Sequence, residues 1–211
     1  MRGVFVAVEG PDGVGKTTLV AGLAARLREA GVAAVIVREP GGTPVAEAAR
    51  QVAFDPGMEA SALAELFLVL AARADLVAKV VRPALAEGKL VLTDRYELST
   101  FAYQVAGRQL PREDVMAANA LATGGLKPHL TLVLDAPAAI GLDRQRAQRK
   151  DRDRMEREDA ELHERVSQFY AGLAGPTVVH LDGTRPADTV AADAWNVLQA
   201  RLRETFVCMP G

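Results

Sequence analysis

Apolar positions in this 211-residue chain fall into short, nearly unbroken runs separated by longer stretches of helical spacing. The runs are Val4–Glu9 (VFVAVE), Ala34–Val37, Leu90–Asp94 (LVLTD), Leu130–Asp135 (LTLVLD) and Thr177–Leu181 (TVVHL). Each is rich in Val, Leu and Ile and predicts a strand, the first of them buried. Between the first two runs, Leu19, Leu23 and Leu27 recur four apart within Lys16–Glu29, a helix that stops near Gly31. Ala60–Ala86 reads as two helices or one bent helix, Pro137 opens another, and Pro186–Arg203 closes the chain as a helix. Strands that alternate with helices imply βαβ units and a parallel sheet. Strands apolar on both sides imply helices on both faces. The expected fold is therefore α/β, a five-stranded parallel sheet sandwiched by helices.

In such a sheet, ligands gather at the carboxyl ends of the strands. Three of the runs end there in an acid: Glu9, Asp94 and Asp135. An acid after a strand can also cap the next helix, the reading that suits Asp135, whereas Asp94 is read as functional. Directly after the first run comes Gly10-Pro11-Asp12-Gly13-Val14-Gly15-Lys16-Thr17, which matches GxxxxGK[ST] in full and opens a helix. That context makes it a phosphate-binding P-loop. Glycines let backbone N–H groups converge on phosphate oxygens, and the helix N-terminus adds a favourable dipole. Gly10, Asp12, Gly13, Val14, Gly15, Lys16, Thr17 and Thr18 form the predicted nucleotide-binding segment. Lys16 is placed to reach the β- and γ-phosphates, and Thr17 offers its hydroxyl to Mg²⁺. The motif alone points to a nucleoside triphosphate with magnesium and leaves the reaction open.

Composition narrows the rest. Hydrophobic residues at 49% with 25% charged residues give an ordinary globular mix, which excludes a disordered chain. A net charge of −2 argues against a broad nucleic-acid or membrane surface. Cys208 is the single cysteine, which excludes an internal disulfide framework and a cysteine-ligated zinc. No apolar stretch is long enough to span a bilayer, and the N-terminal run breaks at Glu9, so the expected compartment is the cytoplasm. His129, His163 and His180 lack metal-ligand spacing and are read as structural; Trp195 and Leu198 are read as core.

Further landmarks give the chain a family likeness. They are VEGPDGVGKTT at 8–18, REPGGT at 38–43, AAR at 71–73, DRYELSTFAYQ at 94–104, KPHLTLVLD at 127–135 and an arginine-rich stretch at 144–157. In this order they resemble the bacterial thymidylate kinases, small enzymes that move the γ-phosphoryl of ATP onto dTMP. The resemblance covers nearly the whole chain and implies a single kinase domain over 1–211, a lid near 144–157, ATP and Mg²⁺, and a homodimer. It also implies roles by matching position. Asp12 contacts the acceptor sugar, Arg38 lies in a loop that approaches the acceptor, and Arg50 lies near its phosphate. Arg73 hydrogen-bonds the base, and Thr100 and Gln104 face it. Tyr103 crowds the sugar and favours deoxyribose. Asp94 works at the metal or positions the acceptor, and Arg95 neutralises charge near the transferring phosphoryl. In the lid Arg149, with Arg146 next, supplies the mobile positive charge. Asp182–Pro186 falls where the family holds the adenine ring.

One departure bears on the acceptor. The family usually carries Phe four residues before the base-reading arginine, and here that position is Val69. Phe67 points about 160° away on a helix, which leaves Phe101 as the expected replacement. This opens two alternatives: a kinase for another pyrimidine deoxynucleotide such as dUMP or a modified base, and a nucleotide-binding switch without turnover.

Overall fold

The computed structural model describes residues 3–147, 154–155 and 158–207. Its strands are β1 (Val4–Glu9), β2 (Ala34–Arg38), β3 (Leu90–Asp94), β4 (Leu130–Asp135) and β5 (Val178–Asp182). All pair in parallel, in the order β2-β3-β1-β4-β5. The helices are α1 (Lys16–Glu29), α2 (Pro44–Phe54), α3 (Ala62–Leu76), α4 (Arg82–Ala86), α5 (Glu97–Thr100), α6 (Arg112–Thr123), α7 (Ala138–Ala147), α8 (Ala160–Ala171) and α9 (Ala187–Val207). The long apolar stretch ending at Ala86 is one bent rod: α3 runs through a π-helical turn, Val77–Val81, into α4. A second π-helical stretch, Phe101–Gly107, continues α5. Helices α2 and α6 and this π-helical stretch were not legible as elements in the apolar pattern.

The alternation of side chains along each strand divides the core. Val4, Val6 and Val8 of β1 pack with Leu19, Leu23 and Leu27 of α1 and with Val190, Ala194 and Leu198 of α9. Trp195 lies against the same cluster, as the helical spacing predicts. Phe5 and Ala7 turn to the other face, onto Leu76, Val77, Val81 and Tyr96. There the Phe5 and Tyr96 rings meet edge to face at 4.8 Å. The central strand is thus buried on both sides, which explains why it carries no polar residue before Glu9. Among the described residues no helix is long and apolar enough to cross a membrane.

Candidate active site

The parallel sheet points the ends of β1, β2 and β3 to one edge, where a cavity of about 770 Å³ opens. Its phosphate end is built from adjacent residues. Gly13 has φ 72, and a Cβ there would stand 2.1 Å from the Gly141 carbonyl oxygen, so only glycine lets the loop pass α7. Helix α1 starts after Gly15 without a side-chain cap. Its first amide donors therefore remain for a ligand at the cavity wall formed by Gly13, Gly15, Lys16, Thr17 and Thr18. Lys16 is buried and donates to the Pro11 carbonyl. Burial, with the Arg95 guanidinium nearby, pulls its ammonium down to about 8. An anion beside Lys16 would offset both effects, so the position suits a phosphate. Thr17 Oγ1 donates to Asp94 Oδ2 at 2.7 Å, so a hydroxyl and a carboxylate stand side by side at the mouth. Hard oxygen donors of this kind suit Mg²⁺, which keeps much of its own water.

The centre of the cavity is a charged bridge. Arg95 ion-pairs with Asp12, donates to the Gly10 carbonyl at 3.2 Å and to Ser99 Oγ at 3.0 Å, and lies 5.3 Å from the Tyr103 ring centroid. Burial alone would raise the Asp12 carboxyl, but Arg95 and Lys16 hold it below its ordinary range. Burial and the Asp12 charge push the Tyr103 phenol well up, so it stays a neutral donor. Arg95 itself has φ 73, a left-handed conformation unusual outside glycine. Its N–H donates to the Val8 carbonyl at 2.9 Å, and Thr93 Oγ1 donates to its carbonyl at 2.7 Å. Beneath it, Glu9 accepts from the Tyr96 and Ser99 amides and from the Ser99 and Tyr170 hydroxyls. Burial raises the Glu9 carboxyl. Glu9 therefore braces the turn after β3 from below.

The far end is assembled from distant elements. Arg73, buried on α3, donates to Glu39 (2.6 Å), Thr100 Oγ1 (2.8 Å), Asn119 Oδ1 (2.7 Å) and the Tyr96 carbonyl (2.9 Å). Four of its five N–H groups are thus fixed, and the plane of the guanidinium with them. Burial raises the Glu39 carboxyl in spite of Arg73, and among the described residues Glu39 Oε1 has no hydrogen-bond partner. Gln104 Nε2 donates to Glu65 Oε1 at 2.8 Å. Arg50 donates to the Pro40 carbonyl at 3.2 Å and lies 5.2 Å from the Phe54 ring centroid. Arg38 grips Glu47 with one nitrogen at 2.9 and 3.0 Å and leaves half its side chain exposed.

The cavity thus brings together Asp12, Gly13, Gly15, Lys16, Thr17, Thr18, Arg38, Arg50, Val69, Arg73, Asp94, Arg95, Thr100, Tyr103 and Gln104. Gly10 stands behind it, as acceptor for Arg95. Val14 faces the core and a second cavity of about 300 Å³ with Arg144, Gly183 and Arg185. There Arg144 donates to the Val14 and Gly183 carbonyls at 3.1 and 2.9 Å, so the segment 182–186 does meet the phosphate loop. Arg149 lies outside the described residues, as does the side chain of Arg146. Asp135, read as a helix cap, instead holds His180 of β5 at 2.6 Å.

Phe101 is a correction. It does not line the cavity but packs with Leu66, Leu70 and Val115. The π-helical stretch turns its ring to α3 and α6 while Tyr103 and Gln104 face the cavity. Phe67 is 57% exposed on the outer side of α3. Besides Tyr103, the aromatic ring that lines the cavity is Phe54, and Met155 lines it too. Both were missed. Phe54 ends a helix whose start was legible only in Thr43-Pro44, where Thr43 Oγ1 accepts from the Ala46 amide.

Comparisons with known proteins give the family. The family model for thymidylate kinase matches residues 8–194. A thymidylate kinase of Deinococcus radiodurans is 46% identical over 203 residues, covering 95% of this chain and 98% of its own. One from Pseudomonas entomophila is 48% identical over 212 residues, covering 100% and 97% respectively. A third, from a Synechococcus strain, is 46% identical over 94% of this chain and 96% of its own. The chain belongs to the thymidylate kinase family.

Proposed function

We propose that this chain transfers the γ-phosphoryl group of ATP to dTMP, giving ADP and dTDP on the way to dTTP. The observation that carries the reading is the shape of one cavity. A phosphate seat at Lys16 and Thr17 lies at one end and a fixed guanidinium, Arg73, at the other, joined by the Asp12–Arg95 pair. The whole chain acts as one nucleoside-monophosphate kinase domain. The loop Gly10–Thr17 and the start of α1 hold the donor phosphates, with Lys16 on the β- and γ-groups. Thr17 and Asp94 would hold Mg²⁺, which draws charge from the phosphate oxygens when bound. At the acceptor, Asp12 takes the sugar, Arg38 stands in the loop that approaches it, Arg50 lies by its phosphate, and Tyr103 crowds the 2′ position. Val69, Arg73, Thr100 and Gln104 surround the base.

The acceptor's phosphate oxygen is already ionised, so these residues have no proton to remove. Their task is to align the two substrates and neutralise charge. Arg95 does so from the site floor. Arg149 does so from the lid at 144–157, and an Arg149→Ala enzyme with unchanged kcat would remove that assignment. A homodimer fits the outer face of the molecule, where Leu63 and Phe67 lie exposed four apart on α3 and Met116 is exposed on the adjoining α6. Sedimentation velocity reads this directly, and a monomer at working concentration excludes it.

The deciding assay is ADP release with ATP and magnesium against dTMP, dUMP, dCMP, dGMP and UMP. The expected result is the highest kcat/KM for dTMP. A preference for another acceptor would keep the chemistry and reassign the pocket of Val69 and Phe54. ATP binding without acceptor-dependent turnover would instead make the chain a switch.

A further inference from the structure

One buried carboxylate lies behind the acceptor end and belongs to none of the motifs. Glu65, on the first turn of α3, is 0% exposed and is shared by three donors from two other regions of the chain. Gln104 Nε2 reaches Oε1 at 2.8 Å. Arg108 donates Nε to Oε1 at 3.3 Å and Nη2 to Oε2 at 3.0 Å. Arg154 donates its Nη2 to Oε2 and grips the Ala53 carbonyl with both Nε (3.0 Å) and Nη2 (2.8 Å). An ionised carboxylate offers acceptors only, and both Glu65 oxygens are taken up by these donors.

That has a consequence for Gln104. A side-chain amide has one donor end and one acceptor end, and its orientation follows from its partners. An acceptor-only neighbour compels the NH₂ to face Glu65. The carbonyl oxygen is then the end left for the cavity that Gln104 lines, and among the described residues nothing donates to it. We propose that Glu65 is a positioning residue for base selection: it fixes Gln104 so that an amide oxygen faces the base, which selects an acceptor base offering a ring N–H. Thymine and uracil carry that N–H. Cytosine presents a lone pair at the same edge, and its nitrogen would meet the oxygen with no proton between them. The assignment deepens the acceptor reading above and rests on it. Arg154 and Arg108 pair with Glu65 and hold its two oxygens in place.

The test is calorimetric binding of dTMP and of dCMP to the wild-type protein, Glu65→Gln and Gln104→Leu, with turnover followed in parallel. Binding needs no catalysis, so absent dTMP turnover would reject the kinase reading while leaving this one readable. The expected result is a wild-type preference for dTMP that falls about tenfold or more in Glu65→Gln, since one charged hydrogen bond orients the reader. Gln104→Leu should lose the same preference, and the double variant should lose no more than either alone. A merely structural role would weaken both nucleotides by the same factor and leave the ratio intact, which would overturn the proposal. So would a wild-type protein that binds dCMP as well as dTMP. If Glu65→Gln does not fold, Gln104→Leu with an unchanged ratio overturns it alone.

Discussion

The two ends of the cavity are built in opposite ways. The phosphate end comes from eight consecutive residues, and its ligand-facing groups are largely main-chain amides at the start of α1. At the acceptor end, among the described residues, the main chain supplies only a few carbonyl acceptors, those of Pro40, Ala53 and Tyr96. The rest is a lattice of buried side chains in which Arg73 ties α3 to Glu39, Thr100 and Asn119, which stand 34, 27 and 46 residues away. Backbone is common to every residue type, so the first construction serves any nucleoside triphosphate. A side-chain lattice is individual, and it is there that one base is told from another. The first end is cheap to specify and general; the second takes many residues and is selective.

That contrast is sharpest where a single side chain is lost. Lys16→Ala should lower kcat by about 10³-fold, the scale for removing a positioned charge from a transition state, while the acceptor's affinity stays unchanged. Steady-state kinetics in both substrates checks this, and an equal loss in acceptor binding would merge the two ends into one. Arg73→Ala should act on the fold as well as on the acceptor. It strips Glu39 of its cation, with Oε1 already lacking a partner among the described residues, and breaking such a buried pair costs about 3 kcal/mol. Urea unfolding should show that loss. Stability equal to wild type would mean the acceptor lattice is ornamental to folding.

The smallest expected effect lies at the seam between the ends. Burial raises the Glu9 carboxyl, so the folded chain keeps this proton to higher pH than the unfolded chain does. The folded state then binds more protons from about pH 4.5 up to the raised value, and stability falls as pH rises through that window. One such group changes stability by at most about 1.4 kcal/mol per pH unit. Glu9→Gln cannot titrate and should flatten the slope. Identical slopes for the two proteins would show that this brace is not electrostatically strained.

The same contrast governs how much could be read before any fold was known. Strands β1, β3 and β4 were legible because burial on both faces leaves an unbroken apolar run. Lys16 and Thr17 were legible because the phosphate-loop motif that defines them is one contiguous stretch of sequence. Phe54, Met155 and Glu65 left no such trace. Glu65 meets Gln104 and Arg154 across 39 and 89 residues, and no spacing rule spans that distance. Phe101 was misplaced for a related reason. Which way a ring points along a π-helical stretch depends on the turn's width, and composition does not encode that.

Arg95 shows what such a site asks of its own scaffold. Its left-handed backbone costs an L-residue about 1 kcal/mol that a glycine would not incur. A glycine there would save that cost, but it would strand the Asp12 carboxylate and give up the bonds to Gly10 and Ser99. A library of this gene sorted only for survival at high temperature should therefore keep the arginine, as sorting for turnover would. At that one position durability and chemistry ask for the same side chain, and the backbone bears the cost of both.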